Sequence, residues 1–476
     1  MQKTKRYMIR ALPGLLAIAA ITGCLRPGDP DLPDIPELTV VEFAEPVRQQ
    51  ILAARAQLLE TPEDARRNLR LGKILHAYKL QSPAIRCYQR ARELQPGDYE
   101  TAYLLGIAQA QMGDDAGATA NLRAAIRLQP DYAPARLRLG EVLFKTGELA
   151  QAQTLFEELL AQEPDSAWAH HRLAQVLAAL DDAEGAIGNN RRAVELYRDF
   201  GPAHYALALA FRNRGDTELA QAHMERYRRQ PKQTPAHVDP LLASLDALDI
   251  SATAHVRRAK RLQASGQPRE ALLALEQAVR VEPQSIEAHS QLIRLYHRLN
   301  DADGVERHYR AVTAIEPHAV MANLEYGTLL AEQGRFADAA AAFEKVLAAH
   351  PDHSAAHTLL GQAMEELQQQ AGAERHYRLA LENDPNNRRA GLLLGRLLML
   401  TDRRTEATTH LDGVAQHSDS DQALYLQRIA QVYREAGEHE RAMTLLEQAR
   451  TQAAAQGQER MLHEITQTMT HWRETQ

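Results

Sequence analysis

The chain has 476 residues, 25% of them charged, with 55 Lys and Arg against 62 Asp and Glu for a formal net charge of −7. An acidic balance with no long basic cluster repels nucleic acid and anionic lipid, so nucleic acid is not expected as a partner. With 2 cysteines in all, a disulfide framework is excluded, and the fold must be held by its core alone.

In chain order, Lys3, Lys5, Arg6 and Arg10 head a mostly apolar run, residues 11–23, that ends in small residues. That is the layout of a secretory signal peptide. The run is shorter than the ~20 apolar residues of a membrane span, and it carries Pro13 and Gly14. Its end, Ile21-Thr22-Gly23-Cys24, resembles the lipobox of bacterial lipoproteins, with an aliphatic residue three positions before the cysteine and a small one directly before it. The resemblance implies cleavage before Cys24, a diacylglyceryl group on its sulfur and acylation of the new amino terminus, palmitate among the expected chains. Two or three acyl chains anchor firmly where one binds marginally. An ordinary signal peptide with a chance cysteine near its cut is the alternative. Leu25 is not the aspartate that retains enteric lipoproteins in the inner membrane, so the resemblance implies the outer membrane, periplasmic side. Without residues 1–23, which carry four positive side chains and no acids, the charge becomes −7 − 4 = −11.

Residues 24–44 follow as a tether. Pro27, Pro30, Pro33 and Pro36 recur every third residue with Asp29, Asp31 and Asp34 between them. Such density favours polyproline II, a semi-rigid spacer of about 3.1 Å per residue, which would lift the folded part off the lipid.

From residue 45 the chain is repetitive. Pro62, Pro96, Pro130 and Pro164 lie 34 apart, as do Pro283, Pro317, Pro351 and Pro385. Ten residues after each proline comes a small slot, filled by Gly72, Gly106, Gly140, Ala174, Gly327, Gly361 and Gly395. Twelve further on stand Ala84, Ala118, Ala152, Ala186, Ala339, Ala373 and Ala407, and four after those a bulky residue in most repeats, such as Tyr88, Phe156, Tyr309, Phe343 and Tyr377. The pattern resembles the tetratricopeptide repeat (TPR). The resemblance implies an all-α fold, a right-handed superhelix of helical hairpins, with small residues closing helix A on helix B and an aromatic knob filling the groove between neighbouring repeats. The proline ends helix B.

On this template the first block, 45–234, has a capping helix at 45–60 and repeats at 65–98, 99–132, 133–166, 167–200 and 201–234. The second, 252–456, has six repeats starting at 252, 286, 320, 354, 388 and 423, and 457–476 forms a terminal cap, since each repeat buries its apolar face only against neighbours. Between the blocks the phase slips by 252 − 235 = 17 residues. There Asp239-Pro240 reads as an N-cap with proline at the first helical position, and Leu241, Leu242, Leu245 and Leu248 share one helical face. Segment 235–251 is therefore expected as an extra helix that bridges the blocks and bends the superhelix.

The 20 histidines raise a metal or haem reading. Five recur as Ala-His at repeat slots 3 and 4: His170, His204, His255, His289 and His357. Helices pack 8–10 Å apart whereas ligand nitrogens sit about 2.1 Å from one ion, so these are expected to be structural; the adjacent pair His170-His171 is the one place for adventitious metal. No Cys-x-x-Cys-His, His-Glu-x-x-His, Gly-x-Ser-x-Gly or phosphate-binding glycine loop occurs. The expectation is a non-enzyme with no cofactor, metal or small-molecule substrate.

Function in such arrays sits on the concave face, built from slots 2, 5, 9 and 12 of helix A. In the first block these slots hold an aromatic-aliphatic lining, Tyr103, Ile107, Leu137, Phe144, Trp168 and Tyr205, with His171 and Arg212 beside it; in the second they are polar, including Arg294, Arg389 and Arg396. These eleven are the candidate partner-binding residues. Leu69 and Lys73 stand where the resemblance would put the Lys/Asn clamp for acidic C-terminal tails, so that clamp is not expected. Asn190, at a knob slot, suggests a weak repeat that hinges. The expected function is a protein-binding scaffold, lipid-anchored at the outer membrane, for an envelope complex (pilus, secretion, polysaccharide export or redox). The alternative is an accessory subunit or chaperone for an exported enzyme or cytochrome.

Overall fold

The computed structural model describes residues 32–236, 239–417 and 419–474; the leader and Cys24 lie outside them. Every element among the described residues is a helix, and none is long and apolar enough to cross a membrane. The chain divides into two compact units. Unit 1 takes residues up to 43 and 48–249; unit 2 takes 44–47 and 250 onward.

After α1 (Glu45–Glu60), unit 1 stacks the hairpins α2 (Ala65–Ala77) with α3 (Gln81–Leu94), α4 (Tyr99–Met112) with α5 (Asp115–Leu128), and α6 (Ala133–Lys145) with α7 (Leu149–Gln162). Then come α8 (Ala167–Ala179) with α9 (Ala183–Leu196), α10 (Gly201–Arg214) with α11 (Thr217–Arg229), and the lone α12 (Pro240–Leu248). Unit 2 pairs α13 (Ala252–Ala264) with α14 (Pro268–Val281), α15 (Ile286–Arg298) with α16 (Ala302–Ile315), and α17 (Val320–Glu332) with α18 (Phe336–Ala349). It continues with α19 (Ser354–Glu366) and α20 (Gln370–Asn383), α21 (Arg388–Leu400) and α22 (Arg404–Ala415), α23 (Gln422–Glu435) and α24 (His439–Ala455), and ends on α25 (Glu459–Glu474).

Local chemistry explains the punctuation. Asp64, Asp98, Ser166, Ser251, Ser285 and Asn387 cap first helices of hairpins, each side chain accepting from an amide of the first turn, a bond worth about 1 kcal/mol. Fourteen positions after each start, or fifteen after Gln422, the chain turns through one left-handed residue. Six hairpins place glycine there, whereas Lys79, Asp181, Asn300, Gln368 and Asp402 adopt φ of 57–63°, at a cost of roughly 1–2 kcal/mol each.

Hairpin closure follows a steric rule. A Cβ added to Gly72, Gly140, Gly327 or Gly361 would lie 2.5–2.7 Å from the ring of Tyr88, Phe156, Phe343 or Tyr377, sixteen residues on in the same hairpin. The aromatic knob therefore sits over its own repeat's glycine, rather than between repeats as the resemblance implies. Where the small slot is Ala174, Ala208, Ala259 or Ala430, the knob is Asn190, Met224, Leu275 or Leu446 and never aromatic. Where the slot is Ile293, Tyr309 turns away and stacks on Tyr326 of the next repeat, ring centroids 3.9 Å apart.

Slot 4 carries a second rule. Nε2 of His170, His204, His289 and His357 bonds the carbonyl six residues earlier at 2.8–3.0 Å. Asn68 and Asn323 do the same through Nδ2 to Pro62 and Pro317, and Arg136 reaches Pro130. These side chains are donors that satisfy the carbonyl exposed where helix B of the preceding repeat ends. A carbonyl only accepts, so in the neutral ring Nε2 holds the proton and Nδ1 is bare. The bare Nδ1 then faces Nδ1 of a histidine nineteen residues on: His204 with His223, His289 with His308, and His357 with His376, at 2.8, 2.8 and 3.0 Å. His170 meets Asn189 and His171 meets Asn190, so the adjacent pair is turned to separate amides.

The last part of the expected spacer lies on unit 1. Pro36 and Val40 are buried, the Pro36 carbonyl accepts from Arg55 Nε at 3.1 Å, and the Pro33 carbonyl accepts from Arg90. Arg90, 5% exposed, also bonds Asn68 Oδ1 at 2.9 Å and the Pro62 carbonyl at 2.9 Å.

Candidate functional site

The first helices of the unit 1 hairpins line up on one face, and side chains three or four residues apart along each helix share that face. From α4 it receives Tyr103 and Ile107, from α6 Leu137 and Phe144, and from α8 Trp168. Tyr103, Ile107 and Leu137 are buried, and Phe144 and Trp168 are half-buried. What covers them in part is the chain itself. After α11, Gln233 and Pro235 meet this face, and from Asp239 onward the chain forms α12, which packs on α2.

The contacts follow in chain order. The Gly201 amide donates to the Gln233 carbonyl at 2.9 Å. Trp168 Nε1 donates to the Pro235 carbonyl at 2.9 Å, its ring edge-on to Phe200 at 5.0 Å. Asp239, 6% exposed, accepts from Tyr103 Oη on one oxygen and from Tyr132 Oη on the other, the latter at 2.8 Å. The second oxygen also caps α12 through the Leu242 amide at 3.1 Å. At the far end Gln50 Nε2 and Tyr78 Oη donate to the Leu248 carbonyl at 3.1 and 3.3 Å. Burial first, then the Asp239 carboxylate, hold the Tyr103 and Tyr132 hydroxyls well above the ordinary tyrosine value, so both remain donors. Arg138 lies beside Tyr103; burial works against its charge, but Glu141 and Tyr103 outweigh this and raise its pKa.

The extra helix expected at 235–251 thus exists as α12, with Leu245 buried and Leu241, Leu242 and Leu248 half-buried, and it packs within unit 1. Of the other sequence candidates, His171 is 3% exposed beneath Trp168 and bonded to Asn190 at 2.8 Å, so it supports the face without presenting to it. Tyr205 stays 42% exposed, its ring 4.9 Å from Tyr227, and Arg212 is exposed. The structure brings Trp168 to Pro235 and Tyr103 to Asp239, and leaves Tyr205 outside these bonds. Tyr132, Asp239, Gln50 and Tyr78 were missed by the sequence reading. The Asp239-Pro240 cap was its only signal.

The equivalent face of unit 2 is polar and paired with itself. Arg294 Nε meets Glu325 at 3.0 Å, Arg396 meets Glu365 at 2.7 Å and Arg389 meets Gln362 at 2.6 Å. His297 bridges Glu325 and Glu332; burial lowers its pKa, but the two carboxylates outweigh this and raise it. The three candidate arginines thus already hold partners from the neighbouring repeat. Cys87 is buried, and burial pushes its thiol up to about 12, with Arg90 opposing; it is inert.

Two family models, each described as "Tetratricopeptide repeat", match residues 83–133 and 324–388, and residues 116–170 and 262–325. The hairpins that lie within residues 83–170 and 262–388 are thus matched as tetratricopeptide repeats. Human DnaJ homolog subfamily C member 3 is 23% identical over 300 residues, 60% of this chain and 52% of that protein. Protein FlbA of Caulobacter vibrioides is 29% identical over 124 residues, 25% of this chain and 21% of that one. The chain spans about half or less of the length of the curated relatives it matches. Among solved structures, yeast Tom70 is similar at a TM-score of 0.39 and 13% identity, with 86% of this chain and 96% of that chain covered. Pseudomonas aeruginosa pilF is similar at a TM-score of 0.37 and 18% identity, with 46% and 97% covered.

Proposed function

We propose that this tetratricopeptide-repeat chain is a non-catalytic interaction scaffold, lipid-anchored through Cys24 at the outer membrane and facing the periplasm, which holds protein segments while an envelope complex is assembled or organised. The observation that carries the reading is the unit 1 face, where Trp168, Tyr103 and Tyr132 hold the chain's own polypeptide by the Pro235 carbonyl and the Asp239 carboxylate. Such a face reads protein segments, because main-chain carbonyls are common to all of them and the side-chain contact gives selectivity. Charged side chains on both faces pair with one another, among them Arg172 with Glu141 and Arg294 with Glu325, which supports a binding role. The lipobox-like Ile21-Thr22-Gly23-Cys24 supports the location.

The test is photo-crosslinking in cells from the exposed Tyr205 position, followed by envelope fractionation. A crosslinked envelope protein is expected, and Trp168→Ala should weaken its capture about thirtyfold, the effect of losing an aromatic anchor worth roughly 2 kcal/mol. Arg389→Glu and Arg396→Glu should do less. The reverse ranking would place the partner on unit 2 and overturn the assignment of the face.

A further inference from the structure

We propose that residues 233–236 together with 239–249 are a resident ligand of the unit 1 face, and that the partner docks by displacing them with a segment of the same chemistry. That chemistry is a main-chain carbonyl offered to an indole N–H, followed four residues on by an acidic residue that caps a short, leucine-faced helix. The inference rests on the scaffold reading above and adds to it the identity of what the face recognises.

Three observations support it. The contacts to the segment are those of peptide recognition rather than of repeat packing: an indole N–H to a carbonyl, two tyrosine hydroxyls to one carboxylate, and a glutamine and a tyrosine to the last helical carbonyl. Next, α12 has nine residues, only Leu245 fully buried, and a helix that short has little stability of its own. It is therefore the element of unit 1 best suited to leave. Finally, the seat is imperfectly filled. Beside Leu242 a recess of about 290 Å³ remains between α4 and α6, lined by Ile107, Ala110, Arg138, Val142 and Lys145 among others. A partner with a larger apolar side chain at the Leu242 position fills this recess and gains over the resident leucine.

Covalent attachment gives the resident segment an effective concentration on the order of millimolar. A free copy of the same sequence therefore competes poorly with the intact chain. The experiment uses a fluorescent synthetic peptide, residues 233–249, titrated by anisotropy against the full chain and against a released form carrying Asp239→Ala and Leu245→Ala. The released form should bind at least about tenfold more tightly than the intact chain. A peptide carrying Asp239→Ala should lose that gain, and one carrying Leu242→Trp should exceed it. Hydrogen exchange of the intact chain supplies a readout free of substitutions: amides of α12 should exchange faster than those of α4 and α6.

A released form that keeps its helical circular dichroism but binds the peptide no better than the intact chain overturns the proposal. So does exchange in α12 as slow as in α4, or a released form that dimerises by light scattering with its segment seated in a second copy. None of these outcomes bears on crosslinking from Tyr205, so the scaffold reading stands or falls separately.

Discussion

Replacing glycine by alanine should have opposite effects at two positions of unit 1. Gly188 lies on the exposed side of α9, and a Cβ there meets nothing within 4 Å. Alanine relieves the entropic penalty of a helical glycine, so Gly188→Ala should stabilise by about 0.8–1 kcal/mol. Gly140 gains the same helical term, but its new Cβ falls 2.6 Å from Cε1 and Cζ of Phe156, a ring fully buried in the hairpin. Two carbons at that separation are more than ~1 Å inside their preferred contact distance, and neither a ring nor a helix backbone yields cheaply. Overpacking of this kind costs roughly 1–3 kcal/mol, so the net change is a loss of up to about 2 kcal/mol. Phe156→Leu should lose buried area on its own, yet restore much of the loss when joined to Gly140→Ala, because alanine with leucine is the pair at Ala259 and Leu275 and at Ala430 and Leu446. The assay is thermal and urea unfolding of the four-member cycle, with the Gly188 variant as a control. A repeat array unfolds in steps, so exchange protection of α6 and α7 serves as the local readout. Additive effects of Gly140→Ala and Phe156→Leu, or a stabilised Gly140→Ala, would refute the steric rule.

The same rule applies to the polar knob: Asn190→Phe should lower stability by roughly 2–4 kcal/mol, since the ring meets the Ala174 Cβ and leaves His171 without its buried acceptor; a rise in melting temperature would contradict it. His376 is pushed down to about 4 by burial first, then by His357 and Arg375, against about 6.5 in the unfolded chain. The unfolded state takes up this proton first, so the contribution of His376 to unit 2 should be full above pH 6.5 and be lost as the pH falls towards 4, by on the order of 1–3 kcal/mol. His376→Asn, the pairing seen at His170 and Asn189, should flatten that slope in acid unfolding curves. Cys24→Ala should move the protein from the membrane fraction to the soluble one or leave it unprocessed; unchanged outer-membrane fractionation, with no acyl mass on the Cys24 peptide, would rule lipidation out.

The all-helical fold was legible because each repeat must solve the same local problems with the same residue types. A proline ends helix B, and a glycine admits a ring sixteen residues later; both leave marks at a fixed period. The histidines were half legible. The recurrence of Ala-His marked slot 4 as structural, but its duty to the proline-turn carbonyl was hidden, although Asn68, Arg136 and Asn323 at the same slot share one property, a side-chain donor. The knob's place was misassigned because the pattern gives spacing without direction. The occupied face was illegible for a different reason. Tyr103 and Asp239 stand 136 residues apart, and no period links them, so nothing in the spacing says that the chain doubles back on its own lining.

The clamp of Arg55 and Arg90 on Pro36 and Pro33 sets a length. Nine steps along the chain lead from Cys24 to Pro33, and a chain extends at most ~3.6 Å per residue, so about 32 Å is the longest leash available to an acylated Cys24. On the proposed anchoring, the first repeat is moored within roughly 3 nm of the headgroups, as on a short stalk. Clients within easiest reach are then those embedded in the same leaflet or resting on it, and Arg90→Ala, by freeing Pro33, would lengthen the leash and widen the catchment.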